Sequence, residues 1–314
     1  MTRAALLSGF GDISRELEQI LGGGLIVLPQ DADASLAADV EIGLGTNNGA
    51  RVAAFLDKAT RVRWYHSLGA GVENLVGLPA FRERGIVLTN NSGAMDIPIG
   101  EHVIAMLLAA AKRFYLYRDQ QRQGIWKEHG QRELNGATLV VFGLGSIGAE
   151  AARLAAALGM RVIGVRRSST PVPGVERIVP PDQLADAVAE ADYLAVCAPL
   201  TQATRGAVSR EVIARMKPTA WIVNIARGAI VDEAALVDAL QAGLIGGAAL
   251  DALTVEPLPR ESPLWSLDNV IITPHSSNSS PNVRQRTLAL VTENVGRFDR
   301  GEPLLNVVNL EAGY

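Results

Sequence analysis

At 314 residues the chain is too long for one small hydrophobic core and suits two domains. Its 48% hydrophobic and 20% charged content is ordinary for a soluble globular protein, and a net charge of −4 excludes a basic footprint for nucleic acid or an acidic membrane. Cys197 is the sole cysteine, so an intrachain disulfide is excluded and a reducing compartment fits.

Strand-like and helix-like segments alternate from the start. Ala4 to Ser8 reads as a strand, because its apolar run is quickly broken by Gly9 and Asp12, unlike a signal peptide. A helix over Ser14 to Leu21 and strands over Leu25 to Leu28 and Val40 to Leu44 follow. Next come a helix over Ala50 to Ala59 and a strand over Val62 to His66. Phe81 to Arg84 closes a short helix before the strand Ile86 to Thr89. Such a βαβ series predicts a parallel sheet with helices on both faces. Asn90-Asn91-Ser92-Gly93 then breaks the pattern. Ile97 to Gln123 is a long helical stretch with Pro98 tolerated near its start. Its apolar block, Val103 to Ala111, is the longest in the chain and falls well short of the roughly 18 residues of a membrane span, so a cytoplasmic protein is expected.

After the Asn135-Gly136 turn a second series begins with the strand Thr138 to Phe142. The run Gly143-Leu144-Gly145-Ser146-Ile147-Gly148 has the G-x-G-x-x-G spacing, and an alanine-rich helix, Ala149 to Leu158, leads to Gly159 and the strand Arg161 to Val165. The first glycine permits a tight turn, the second lets backbone approach a pyrophosphate, and the third lets helix and strand pack closely; the helix N-terminus faces the phosphates. An acidic residue normally ends the second strand and takes the ribose of NAD. Here that position is Arg166, followed by Arg167 and Ser168. Guanidinium groups bind a 2′-phosphate that a carboxylate would repel, so NADP(H) is expected in preference to NAD(H). Later strands are read over Tyr193 to Cys197, Ala220 to Ile225, Gly247 to Leu250 and Val270 to Thr273. Helices lie over Asp182 to Ala189, Arg210 to Ala214, Asp232 to Gln241 and Pro281 to Arg300. The last helix lies beyond the second series and is expected to return to the N-terminal domain. The expected fold is α/β: two Rossmann-like or flavodoxin-like lobes with parallel sheets and a cleft between them. Residues 1–96 with 281–314 form a discontinuous substrate domain and residues 97–280 the dinucleotide domain.

Ligands of open α/β sheets bind at the carboxyl ends of strands, which directs attention to three segments: Asn224-Ile225-Ala226-Arg227-Gly228, Asp251 to Pro257, and Thr273-Pro274-His275. Arg227 has the chemistry to clamp a carboxylate and polarise a neighbouring carbonyl. His275 is the natural proton carrier near neutral pH, and a carboxylate such as Glu256 beside it would orient the ring and favour imidazolium.

With the glycine loop, these segments resemble the D-isomer-specific 2-hydroxyacid dehydrogenases. Leu68-Gly69-Ala70-Gly71-Val72-Glu73-Asn74-Leu75 resembles that family's substrate loop, and Glu101-His102-Val103 the opening of its interdomain helix. Ala198-Pro199-Leu200-Thr201 resembles its cofactor-contacting loop. The resemblance implies reduction of a small 2-oxo acid by NADPH, with His275 as proton donor. Glu256 is its partner, raising its pKa and fixing its tautomer, and Arg227 holds the substrate. Backbone N–H groups of Leu68, Gly69, Ala70 and Gly71 would bind the carboxylate from the other lobe. Cofactor contacts are implied for the glycine loop and the Arg166 turn, and for Cys197, Ala198, Pro199 and Thr204. Ile225, Ala226 and Arg227, then Asp251, His275 and Ser277, complete them. A homodimer through the cofactor domain is implied, with no nucleic-acid or membrane partner.

Two departures stand out. Relatives often carry alanine and glycine shortly after the histidine, whereas this chain has Ser276-Ser277-Asn278-Ser279-Ser280, and the acidic ribose residue is absent. Glyoxylate, hydroxypyruvate and aryl or alkyl pyruvates are the candidate substrates. The alternatives are an NAD-linked biosynthetic enzyme of the 3-phosphoglycerate type and a catalytically silent NADPH-sensing interaction protein. The sequence stops at Tyr314, so no regulatory ligand-binding domain is expected. Histidine and cysteine spacings imply no metal, and Cys197 reads as a buried small hydrophobe. His66 and His129 are unassigned, and His102 is expected in helix packing or an interface. Trp126 reads equally as an interface residue or an ordinary packed aromatic.

Overall fold

The computed structural model describes residues 3–7 and 13–314. The chain divides into two compact units, residues 1–95 with 280–314 and residues 96–279. The first unit opens with β1 (Ala4–Leu7), α1 (Ser14–Ile20), β2 (Leu25–Leu28), β3 (Ile42–Gly45) and α2 (Gly49–Lys58), followed by β4 (Trp64–Ser67), α3 (Pro79–Glu83) and β5 (Val87–Thr89). The strands are parallel, in the order β2-β1-β3-β4-β5. Strands β1, β3 and β4 are buried along their whole length, as expected when both faces of a parallel sheet are covered. Expected elements shift by one or two residues: β3 starts at Ile42 because Val40 is still in a turn, its N–H bonded to Ala37 O. Ser8, the expected end of the first strand, lies outside the described residues, as do Gly9 and Asp12.

The second unit holds α4 (Asp96–Lys112), α5 (Phe114–Gln123), β6 (Thr138–Phe142), α6 (Ser146–Ala157), β7 (Arg161–Val165) and β8 (Arg177–Val179). It continues with α7 (Leu184–Glu190), β9 (Tyr193–Val196), α8 (Arg210–Ala214), β10 (Trp221–Asn224), α9 (Glu233–Gln241), β11 (Gly247–Leu250) and β12 (Val270–Ile272). Its seven parallel strands run β12-β11-β10-β9-β6-β7-β8. Strand order reverses between β6 and β9, which makes the end of β6 a switch point where ligands bind. Helix α10 (Pro281–Arg300) then belongs to the first unit, where Val291 and Val295 share a core with Leu6, Leu17 and Trp64.

The structure corrects several expectations. The single helix over Ile97 to Gln123 is two helices broken at Arg113, which sits at φ 56°. The apolar face that buries α4 ends at Ala111, and α5 buries none of its side chains. Helix α6 starts at Ser146, not Ala149, because Gly145 serves as its N-cap. Asp182 to Gln183 belongs to a separate 3-10 turn before α7, and the short edge strand β8 was not anticipated. Trp126 is fully exposed, which removes the reading of a packed aromatic within the chain. Among the described residues no helix is long and apolar enough to cross a membrane.

His66 is fully buried in β4. Thr89 Oγ1 lies 2.8 Å from both Trp64 Nε1 and His66 Nδ1. An indole only donates, so Thr89 Oγ1 accepts from Trp64 Nε1 and shares a second hydrogen bond with His66 Nδ1. Burial pushes the His66 pKa down from 6.5 to about 4. The unfolded chain therefore binds more protons between those values, and this group's contribution to stability, constant above about pH 6.5, is lost as pH falls toward 4. Replacing His66→Asn keeps a hydrogen-bonding side chain beside Thr89 and removes the titration. The stability gap between wild type and variant, from denaturant melts, should then narrow as pH drops through this window; a pH-independent gap would contradict the assignment.

Candidate active site

The glycine loop lies at the switch point of the second unit. Gly143 has φ 99°, and a Cβ there would run into the backbone of Cys197 and Ala198. A Cβ on Gly148 would collide with Gly143 O. Both positions are closed to any side chain, so helix α6 lies tight against β6. Gly145 differs: it is exposed, and nothing lies within 4 Å of a Cβ placed on it. No side chain caps α6. Open backbone before an uncapped helix fits a dinucleotide pyrophosphate. Beside it Leu144 is buried, Ile147 half-buried, and Ser146 Oγ donates to Asp96 Oδ1 at 3.0 Å. At the end of β7 the Arg166 guanidinium donates to Ser168 O (2.8 Å), Thr170 O (2.5 Å) and Leu144 O (3.3 Å). Arg166 thus knits its own turn to the glycine loop, while Arg167 and Ser168 are exposed on that turn.

On the other side of the switch point, buried Asn224 ends β10, and its side chain organises the next turn. Asn224 Oδ1 accepts from Ala226 N (3.1 Å) and Nδ2 donates to Arg227 O (3.1 Å). Ile225 and Ala226 are buried; Arg227 is half-buried, with Nη1 donating to Ala226 O at 2.7 Å. A Cβ on Gly228 would collide with the backbone of Leu253 and Thr254, so the Arg227 turn packs directly on the loop that carries Glu256. Glu256 Oε1 accepts from Leu253 N at 2.9 Å, and Oε2 lies 2.8 Å from His275 Nδ1. A carboxylate only accepts, so Nδ1 carries a hydrogen and Nε2, across the ring, is left for chemistry.

His275 sits at φ 50°, and the loop that holds it there wraps around Asp251. Asp251 Oδ1 accepts from Thr273 Oγ1 (2.5 Å) and Ser276 N (2.9 Å), and Oδ2 from Ser277 N (3.1 Å). Burial works to raise the Asp251 pKa, yet these bonds and one from the Ser277 side chain outweigh it, and the carboxyl lies below its ordinary value. His102 adds to this cluster: its Nε2 lies 3.2 Å from Thr273 Oγ1 and 3.8 Å from Asp251 Oδ1. Its side chain therefore serves the histidine loop and not merely helix packing. Cys197 begins the turn after β9, where burial pushes its thiol up to about 12, and Ala198 beside it is buried. Thr204 Oγ1 donates to Pro199 O at 2.6 Å and accepts from Thr201 N at 2.8 Å. The side chains of Asp251 and Ser277 are thus engaged with each other, and that of Thr204 within its own loop.

In the first unit the residues 68–71 follow β4. Leu68 is buried, and its N–H goes to Gly45 O at 2.8 Å; Gly69 N lies 3.3 Å from Ser67 Oγ. The half-buried Ala70 and Gly71 donate their N–H groups to no acceptor among the described residues. Asn47, Asn90 and Asn91 bond carbonyls of this loop, and the sequence marks none of them for it beyond the likeness of residues 84–90 to the family's usual continuation of its substrate loop. Among the described residues no cluster of three or more histidine, cysteine or acidic side chains could hold a metal.

The second unit carries an open glycine loop and a histidine–carboxylate pair at strand ends of one sheet, a combination that fits a nicotinamide-dependent oxidoreductase. Comparison with known proteins narrows this. Residues 104–277, more than half of the chain, match the model of the D-isomer specific 2-hydroxyacid dehydrogenase NAD binding domain. A glyoxylate reductase of Korarchaeum cryptofilum is 36% identical over 81% of this chain and 78% of its own length. A D-3-phosphoglycerate dehydrogenase of Methanocaldococcus jannaschii is 37% identical over 81% of this chain, which spans only 49% of that protein. A solved D-isomer specific 2-hydroxyacid dehydrogenase from Xanthobacter autotrophicus, in complex with NADPH and MES, superposes with a TM-score of 0.87 at 30% identity and full coverage of both chains. The chain belongs to the D-isomer specific 2-hydroxyacid dehydrogenase family, and by that family is an oxidoreductase using NAD(P).

The open space at Gly145 gives a direct test of the cofactor seat. Gly145→Ala, at φ −75°, should melt at the wild-type temperature and bind NADPH about tenfold or more weakly in a fluorescence titration. Unchanged affinity would mean that the pyrophosphate lies elsewhere.

Proposed function

We propose that the protein reduces a small 2-oxo acid, such as glyoxylate, hydroxypyruvate or a substituted pyruvate, to the D-2-hydroxy acid with NADPH. The observation that carries this reading is the 2.8 Å His275–Glu256 contact on a strand end of the dinucleotide-binding unit. The bound dinucleotide supplies the hydride, which goes to C2 of the substrate. His275 Nε2 gives its proton to the carbonyl oxygen, and the imidazole is reprotonated from solvent. Glu256 keeps Nδ1 protonated and the ring aimed, and opposes the positive charge of the imidazolium before transfer. Arg227 holds the substrate carboxylate and polarises the carbonyl. In the first unit the N–H groups of Ala70 and Gly71 are suited to an anion, which supports that unit as the substrate domain and the second as the cofactor domain. Oxidation runs these steps in reverse.

Preference for NADPH rests on Arg166 and Arg167 standing where NAD enzymes of this fold carry an acid, and the NADPH bound by the Xanthobacter relative supports it. The exposed Trp126 and Ile125 beyond α5 support a homodimer through the second unit. The lone cysteine fits a cytoplasmic setting.

Parallel assays of NADPH and NADH oxidation with glyoxylate, hydroxypyruvate and phenylpyruvate test this reading. Turnover with at least one acid, higher in kcat/KM with NADPH, is expected. A clear NADH preference would sink the cofactor assignment alone, whereas faster NAD-linked oxidation of 3-phosphoglycerate would replace the substrate class. Oxidation of neither cofactor with any oxo acid would overturn the reading.

A further inference from the structure

The 68–71 loop of the first unit is held by asparagines to which the proposed reaction assigns no part. Each carbonyl of the 68–71 loop is taken by an asparagine. Leu68 O accepts from Asn91 Nδ2 (3.1 Å) and Gly69 O from Asn91 N (3.1 Å). Ala70 O accepts from Asn90 Nδ2 (2.9 Å) and Gly71 O from Asn47 Nδ2 (3.4 Å). In a planar trans peptide the C=O of one residue and the N–H of the next point in opposite directions. Holding the carbonyls of Gly69 and Ala70 against protein therefore turns the N–H groups of Ala70 and Gly71 away from it, and these are the two amides with no acceptor among the described residues. Successive outward amides make an anion-binding concavity.

The three asparagines come from separate stretches and are themselves fastened. Asn91 is buried, and its Nδ2 also donates to Thr287 Oγ1 on α10 at 2.8 Å. Asn90 N donates to Asn306 O at 3.2 Å, and Asn306 Nδ2 returns a bond to Asn90 O at 3.3 Å. The seat is thus tied to the C-terminal part of the first unit. We infer that Asn90 and Asn91 are positioning residues for the substrate carboxylate: the Asn90 side chain on Ala70 O aims the Gly71 N–H, and the Asn91 side chain, fastened to Leu68 O and Thr287, holds in place the Asn91 backbone N–H that, on Gly69 O, aims the Ala70 N–H. This rests on the 2-oxo acid reading above.

Asn90→Ala, at a half-buried position, and Asn91→Ala, at a buried one, test it. Amides that hold the carboxylate equally before and during hydride transfer act on KM and not on kcat. Each variant should raise the glyoxylate KM about tenfold while kcat and NADPH affinity stay within about twofold. Calorimetric titration of oxalate into the NADPH complex should show a parallel loss. KM and oxalate affinity unchanged in folded Asn90→Ala, or a fall in kcat at constant KM, would overturn the inference. A wild type that reduces no oxo acid would defeat the proposed reaction alone. The oxalate titration then decides: binding weakened by the variants supports the seat, and binding that is absent from wild type or unaffected by them refutes it.

Discussion

A carboxylate buried at the end of β11 governs the chemistry-bearing edge of the second unit. Asp251 is only 1% exposed, and a charge so placed is tolerated only if its oxygens are filled with hydrogen bonds. The donors come from Thr273, Ser276 and Ser277, so satisfying the charge forces residues 273–277 to curl around it. The curl puts His275 in the left-handed region and its ring against Glu256. The polar run after the histidine, a departure from what relatives often carry, is in part the means of filling that carboxylate.

Around this anchor the parallel sheet does the rest. Register aligns Phe142, Val196, Asn224, Leu250 and Ile272 across neighbouring strands, so every following loop leaves from one edge. Close approaches then join the loops: Gly148 against Gly143, Gly143 against Ala198, and Gly228 against Leu253. In the first unit Asn47, Asn90 and Asn91 bond the carbonyls of the 68–71 loop. In both units the groups left for a ligand are backbone amides and a few side chains whose neighbours hold them in place.

Much of this was legible in the amino-acid sequence because it is local. Glycine spacing encodes the turn before α6, and apolar runs bounded by turn residues encode the strands. The family resemblance marked Arg227, Glu256 and His275. What stayed hidden depends on bonds between distant residues. Asn91 meets Thr287 across 196 positions, and nothing in the Asn90-Asn91 doublet announces that contact. The break at Arg113 falls in a stretch without proline or glycine, where the buried face of α4 ends. Arg166 was read as a phosphate ligand from its strand-end position; its three bonds to carbonyls give it a loop-building task that no spacing reveals.

The account turns on His275 as the proton donor of a hydride-transfer enzyme. The most direct measurement is turnover of His275→Ala with NADPH and the best 2-oxo acid, alongside NADPH affinity by fluorescence titration. The account predicts a loss of kcat of about a hundredfold or more with cofactor affinity nearly unchanged. Turnover close to wild type would contradict it, as would loss of activity that merely follows loss of NADPH binding.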